Sequence, residues 1–352
     1  MKRKLIDGHM HIAQWAGVFD MLTYYEESNG IAAVDNMCCS NNADLWPGFE
    51  ADQTILGAIA KLKNPTVFTH GCLYIPKDLA HLDEFDFKDQ LDEMMELGLD
   101  GVKICDFKPD AYKLFHVGEL LEKYDEYIGY CEKLGVHMCW HVADPDVNWD
   151  PEKVSEGVKQ RGWFYGDGTF PSYEQLIEMT YTFLESHPKL NLTLAHMFFK
   201  SQNPDEIEAL LDKFPYLSLD LAPGWEMFNG FREHYEKWYR IFRKHSDRFI
   251  YATDLTFPTA PSLIHAVPQT VLRFLETDDE FDFGARASLH GIKLEGEQLD
   301  NVLFKNHDRV VGEQPREINR AALKKYIERY LPLIPDSQNH RLIEEYYKNE
   351  LL

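Results

Sequence analysis

His9 and His11, in the run Leu5-Ile6-Asp7-Gly8-His9-Met10-His11-Ile12, are the residues with the clearest chemical reading. On an extended strand, residues two apart point to the same face, so the two imidazoles project together. Side by side they make half a metal site, because imidazole is the commonest protein ligand for zinc and related ions, and such an ion needs two or three further N or O donors. An isolated His-x-His can equally place one ring in a core and the other in solvent. The rest of the chain decides between these readings.

The pattern after this first strand is a steady alternation. Helical spacing over 19–28 is followed by an extended run over 31–39, and a helical pattern over 52–63 stops at Asn64-Pro65 before the β-rich run 66–74. An amphipathic helix over 87–97 closes at Gly98 ahead of a short buried strand, 101–104, and a helix over 118–134 closes at Gly135 ahead of a strand over 136–143. Residues 144–171 are rich in Asp, Pro, Gly and Trp and read as a long loop with one short helix; a loop of this length is functional or disordered, and its aromatic content favours function. Helix 172–186, strand 192–196, helix 204–213, strand 217–221, helix 231–244 and strand 249–254 complete eight strands, with helices over 268–276 and 297–304 and two more near the C-terminus. Strands separated by helices require right-handed crossovers and hence parallel pairing. The fold class expected is α/β, a (β/α)8 TIM barrel with a long loop insertion after strand 5 and extra C-terminal helices. Residues 1–352 form one domain in this reading, with the barrel over about 4–278 and capping helices over about 296–352. A doubly wound sheet would carry a Gly-rich phosphate turn after its first strand, where this chain has His-Met-His.

In such a barrel the active site lies at the C-terminal ends of the strands. Those ends supply His9, His11, His70, Lys103, His141, His196, Asp220 and Asp254. A histidine ending each of the fifth and sixth strands and an aspartate ending the eighth are what the site begun by His9 and His11 lacks. His70, inside an apolar run, reads as a core residue, and Asp220, inside Leu-Asp-Leu, is ambiguous. Asp7 shares a face with both histidines but lies deeper; it either bonds a ligand imidazole or is structural. Trp15, Trp149, Trp163 and Trp225 fall in loops after strands, where they line a pocket for a planar substrate or pack the loops down.

Composition narrows the function. With 36 Lys+Arg against 59 Asp+Glu the net charge is −23, which disfavours nucleic acid and anionic membranes as partners. Hydrophobic residues at 44% and charged residues at 27% describe a soluble globular protein. The start, Met-Lys-Arg-Lys, runs straight into polar residues without an apolar signal core, so a cytoplasmic location is expected. Six cysteines without a Cys-x-x-Cys spacing read as reduced thiols. A small molecule is the expected partner, and a homodimer through the outer helices is compatible with the barrel.

The ordered series Asp7-Gly-His-Met-His11, Trp140-His141, Ala195-His196, Ala252-Thr-Asp254 and the tail from Asp300 to Gly312 resembles the amidohydrolase superfamily. Within it, the likeness is to the amidohydrolase-related (amidohydrolase 2) branch of metal-dependent TIM-barrel hydrolases and decarboxylases. The resemblance implies that His9, His11, His141 and Asp254 hold one divalent metal, zinc before manganese, and that His196 completes the coordination or stands beside it and polarises the substrate. It further implies a hydrolase that uses metal-activated water on an amide, ester or lactone, with Asp254 and His196 catalytic. The alternative within the same family is a nonoxidative decarboxylase of an aromatic or unsaturated acid; a non-catalytic metal-binding module is a distant third. Lys103 stands where some relatives carry a carbamylated lysine that bridges a second metal; unmodified, it pairs with a substrate carboxylate. Two stretches depart from the family pattern: Met197-Phe-Phe-Lys200 after His196, and Leu255-Thr-Phe-Pro258 after Asp254.

Overall fold

The computed structural model of the chain describes residues 3–39, 53–283 and 288–352, the side chain of Trp225 excepted. Strands β1 (Ile6–Ile12), β2 (Ala33–Met37), β3 (Val67–Gly71), β4 (Gly101–Phe107), β5 (His137–Val142), β6 (Leu192–Leu194), β7 (Leu217–Asp220) and β8 (Phe249–Ile250) lie side by side in chain order, all parallel. A short strand β9 (Thr256–Phe257) pairs with the far edge of β1. Together they curl into the sheet of a TIM barrel, with helices between successive strands.

The eighth strand is therefore split. Its first piece bonds β7, and at Tyr251 the chain turns to β1, where Gly8 N donates to Tyr251 O (2.9 Å), Asp254 N to His9 O (2.8 Å) and His11 N to Leu255 O (2.8 Å). Asp7 fixes this turn. Its buried carboxylate accepts from Thr253 N (3.0 Å), Thr253 Oγ1 (2.6 Å) and Tyr25 Oη (2.7 Å), and burial pushes its pKa up to about 7. Asp7 therefore bonds no ligand imidazole; it bolts the Asp254 segment to β1, because a residue this deep faces the backbone of the neighbouring strand. Gly8 permits the approach, since a Cβ there would lie 2.5 Å from Ile250 Cγ2 and 3.2 Å from Tyr251 O. Gly8→Ala is expected to cost about 1–3 kcal/mol through overpacking. A urea titration should show a lower midpoint at unchanged slope; an unchanged midpoint would mean that the two strands are free to part.

Local signals explain most helices. Ser172 forms a capping box with Gln175 at the start of Tyr173–Ser186, and Gly98 and Gly135 end Phe87–Leu97 and Leu121–Leu134 in the left-handed conformation. Two helices differ from the reading. The expected 231–244 helix is two, Trp225–Glu233 and Tyr235–Lys244, so that the first can follow β7 directly. The helix expected from Pro268 begins at Pro261 and passes through Pro268. Proline lacks the donor that would reach Ile264 O, and Asn29 Nδ2 supplies it from another helix (3.1 Å).

The lower half of the barrel holds a closed polar chain. Thr193 Oγ1 and His137 Nε2 lie 2.8 Å apart, His137 Nδ1 and His70 Nε2 2.7 Å, His70 Nδ1 and Asp35 Oδ1 2.8 Å, and His307 Nε2 and Asp35 Oδ2 2.9 Å. His70 is thus a satisfied core residue. Asn306 holds the tail beneath the barrel, its Nδ2 donating to Ser246 O and Phe249 O at 2.8 Å each. Among the described residues no helix is long and apolar enough to cross a membrane.

Candidate metal centre

At the other end of the barrel β1 brings His9 and His11 together as its alternation requires, with their Nε2 atoms 3.3 Å apart. Asp254 Oδ1 lies 3.1 Å from His11 Nε2 and 3.6 Å from His9 Nε2. Residues 196 and 141 form a second pair, His196 Nε2 to His141 Nδ1 at 3.1 Å, with the His196 ring centroid 5.2 Å from that of His9. The structure thus groups His9, His11 and Asp254 most tightly and sets His141 against His196.

The outer nitrogens reveal the protonation pattern. His9 Nδ1 faces Asp220 Oδ2 at 2.7 Å, His11 Nδ1 faces Met37 O at 2.6 Å, His196 Nδ1 faces Ala222 O at 3.1 Å, and His141 Nε2 faces Ala143 O at 3.0 Å. Each partner is an acceptor only, so each of these nitrogens must carry the hydrogen. Burial pushes His9, His141 and His196 below the usual imidazole pKa, so these rings are neutral at pH 7 and their inner nitrogens are acceptors, the one on His9 facing Lys103 Nζ at 3.3 Å. The His141 and His196 lone pairs, which meet at 3.1 Å, repel unless a cation or a proton lies between them.

The spacing fits a divalent ion. Around a tetrahedral ion with bonds of about 2.0–2.1 Å, ligand atoms lie roughly 3.3–3.4 Å apart. The separations among His9, His11 and Asp254 are 3.1, 3.3 and 3.6 Å. His9, His11 and Asp254 could hold such an ion, with a fourth donor from the His141–His196 pair.

Asp220 is the residue that sequence reasoning left open and the structure resolves. It carries the His9 imidazole on Oδ2, while Oδ1 accepts from the backbone of His196 (2.7 Å) and Ala222 (3.2 Å). One carboxylate therefore orients the His9 ring and fixes the backbone at His196, just after β6. Its position at a strand end was the only available signal.

Lys103 is buried, 2% exposed, with Nζ 3.3 Å from His9 Nε2 and 3.4 Å from Cys139 Sγ. It lines the cavity next to His9. The group His9, Cys139 and Asp220 also has ligand-like spacing. However, its His9 and Asp220 atoms already bond each other, and burial holds the Cys139 thiol well above its usual pKa, so the thiol is neutral.

The backbone after β6 is unusual. His196, Met197, Phe198 and Phe199 all have φ between 51° and 57°, a left-handed turn without glycine. The buried side chains of Met197 and Phe198 hold it in place, and Phe199 stacks on the His196 ring at 5.1 Å. The departure seen in the sequence after His196 thus builds a wall of the site. Asp254 also sits at φ 55°, which a short polar residue tolerates.

A cavity of about 740 Å3 opens over His11, Lys103, His141, His196 and Asp254. The long loop after β5 covers it. Trp163 lies over Lys108 (4.7 Å) and under Arg161 (5.3 Å), and Lys108 is held by Asp144 (2.7 Å) and Tyr165 (2.9 Å). Trp163 lines the cavity, whereas Trp149 ties the loop by donating to Pro171 O (2.9 Å), and Trp15 packs against Phe19 and Tyr346. The side chain of Trp225 lies outside the described residues.

No protein-family model matches the chain, and no curated protein does. Solved structures do. An uncharacterised TIM-barrel protein from Bordetella bronchiseptica is 14% identical, with 87% of this chain and 98% of that one covered and a TM-score of 0.58. A provisionally named amidohydrolase from Staphylococcus aureus is 15% identical over 88% and 99% of the two chains, with a TM-score of 0.54. The 5-carboxyvanillate decarboxylase of Novosphingobium aromaticivorans, solved with manganese and 4-hydroxy-3-methoxy-5-nitrobenzoic acid, is 12% identical over 88% and 96%, with a TM-score of 0.52. The fold that the chain shares with these structures is the TIM barrel.

Proposed function

We propose that the protein is a metal-dependent hydrolase of an amide, ester or lactone in a small carboxylate-bearing molecule. The observation that supports this reading is the clustering of His9 Nε2, His11 Nε2 and Asp254 Oδ1 within 3.1–3.6 Å of one another, with the outer nitrogens of His9, His11, His141 and His196 each facing an acceptor. In this proposal His9, His11, His141 and Asp254 hold one divalent ion, zinc or manganese, with His196 beside it. A bound ion of this kind supplies Lewis acidity and makes a water acidic enough to attack near neutral pH.

The chain's own groups do the rest. Asp254, whose side chain is 35% exposed towards the cavity, accepts the proton of the attacking water. His196, whose Nδ1 hydrogen is held by Ala222 O, keeps Nε2 as an acceptor that takes a hydrogen bond from the attacking water and orients it. The Lys103 ammonium, which lines the cavity, pairs with the substrate carboxylate. The β5 loop excludes bulk water.

The second reading, nonoxidative decarboxylation of an aromatic or unsaturated acid, draws on the similarity in fold to the carboxyvanillate enzyme and on the aromatic rings of Trp163 and Phe199 at the cavity. One screen separates the two. Zinc- or manganese-loaded protein is offered a panel of lactones, amides and esters, and a panel of hydroxybenzoates monitored for carbon dioxide. Hydrolysis is the expected result; carbon dioxide release with no hydrolysis would overturn the first reading.

A further inference from the structure

Glu226 sits one residue into the helix that follows β7, and its side chain lines the same cavity as Asp254 and His196. Sequence reasoning did not single it out, because nothing around it marks it. Its Oε1 is shut off from solvent and has no hydrogen-bond partner among the described residues. Buried carboxyl oxygens are rarely left this way, and such an orphan calls for a proton or a ligand.

The backbone makes room for it. A Cβ on Gly224 would fall 1.9 Å from Glu226 Oε1 and 2.6 Å from Oε2, so the carboxyl lies folded over a glycine that has space for nothing else. Among the described residues no cation is paired with it, and the charged groups that act on it most, Asp144, Asp254 and Asp146, are all acidic. Burial, with these carboxylates, pushes its pKa up to about 7, although a hydrogen bond from its own backbone N–H favours the ionised form.

We infer that Glu226 is a catalytic proton donor, holding inside the cavity the proton that the leaving group receives. The inference rests on the hydrolase reading. In the step, the bond from the carbonyl carbon to the leaving oxygen or nitrogen breaks, and its electron pair stays on the heteroatom. Glu226 protonates that atom, while the proton lost by the attacking water is held by Asp254. Exchange with solvent then returns one proton to Glu226 and removes one from Asp254, so one water is consumed and both carboxyls are restored. Two carboxyls held in different protonation states is the usual arrangement for paired acid and base catalysis.

The test compares 4-nitrophenyl and methyl esters of one acid with metal-loaded wild type, Glu226→Gln and Gly224→Ala. The second variant keeps the carboxyl but displaces it. A good leaving group needs no acid, so Glu226→Gln is expected to lose about 10^2-fold or more in kcat on the methyl ester and less than about 5-fold on the nitrophenyl ester. Gly224→Ala should show the same bias. Equal losses on both esters, or none, would overturn the role of Glu226 while leaving hydrolysis intact. If the wild type hydrolyses neither ester, the hydrolase reading fails separately, and infrared difference spectra of wild type minus Glu226→Gln still decide whether Glu226 holds a proton. A protonated-carboxyl band that titrates near neutrality supports it; its absence overturns it. The Asp7 band is common to both proteins and cancels.

Discussion

Replacing Asp254 by asparagine should lower kcat/KM by about 10^3-fold or more, roughly 4 kcal/mol of transition-state stabilisation. The substitution removes a proton acceptor and the negative member of the ligand group at once, while preserving size. Little else should change. Asparagine tolerates φ 55° as well as aspartate does, and the side chain is partly exposed, so the thermal midpoint should move by only a few degrees. Loss of activity with an intact melting transition supports Asp254 as a reacting group. Retention of more than about a tenth of the activity would remove Asp254 from the chemistry.

The second large effect is expected at a residue that touches neither metal nor substrate. Asp220→Asn should weaken metal binding by about 10–100-fold. Oδ1 of Asp220 accepts two backbone N–H groups, and Oδ2 accepts from His9. An asparagine that keeps its oxygen on the backbone turns its NH2 towards His9 Nδ1. That nitrogen must then accept, its hydrogen moves to Nε2, and the ring can no longer offer a lone pair beside His11. The flipped asparagine places NH2 against the His196 N–H instead. Both arrangements damage the site, at a cost of about 1–3 kcal/mol in stability. Competition with a chromophoric chelator measures the change in affinity; an affinity equal to wild type would show that Asp220 does not control the His9 tautomer.

Why the sequence revealed some of this and not the rest follows from the range of the interactions. The eight-strand rhythm is local: alternating apolar residues, helix-ending glycines such as Gly98 and Gly135, and the Ser172 cap each act within a turn or two. The pairing of His9 with His11 is also local, since a strand's two-residue period fixes it. Barrel closure was legible in kind but not in detail, because the split at Tyr251 depends on Asp7 reaching across to Thr253, 246 residues away. The partition of the histidines was hidden for the same reason. Nothing near His141 says that its ring meets His196, and nothing in Leu-Asp-Leu says that Asp220 meets a histidine 211 residues away. Likewise, Pro268 marks a helix start by every local rule, and only Asn29, from a distant helix, lets the helix pass through it. Glu226 carries no local signal at all, as its character comes from burial and from the space left by Gly224.

In the proposed site the imidazoles of His9, His11 and His141 and the carboxylate of Asp254 hold one divalent ion. The most direct measurement is equilibrium dialysis against zinc and against manganese, with metal counted by plasma mass spectrometry, for wild type and His11→Ala. The account predicts about one ion retained per wild-type chain and none above background in His11→Ala, with unchanged circular dichroism. A wild type that retains no ion, or a His11→Ala protein that retains as much as the wild type, would contradict it.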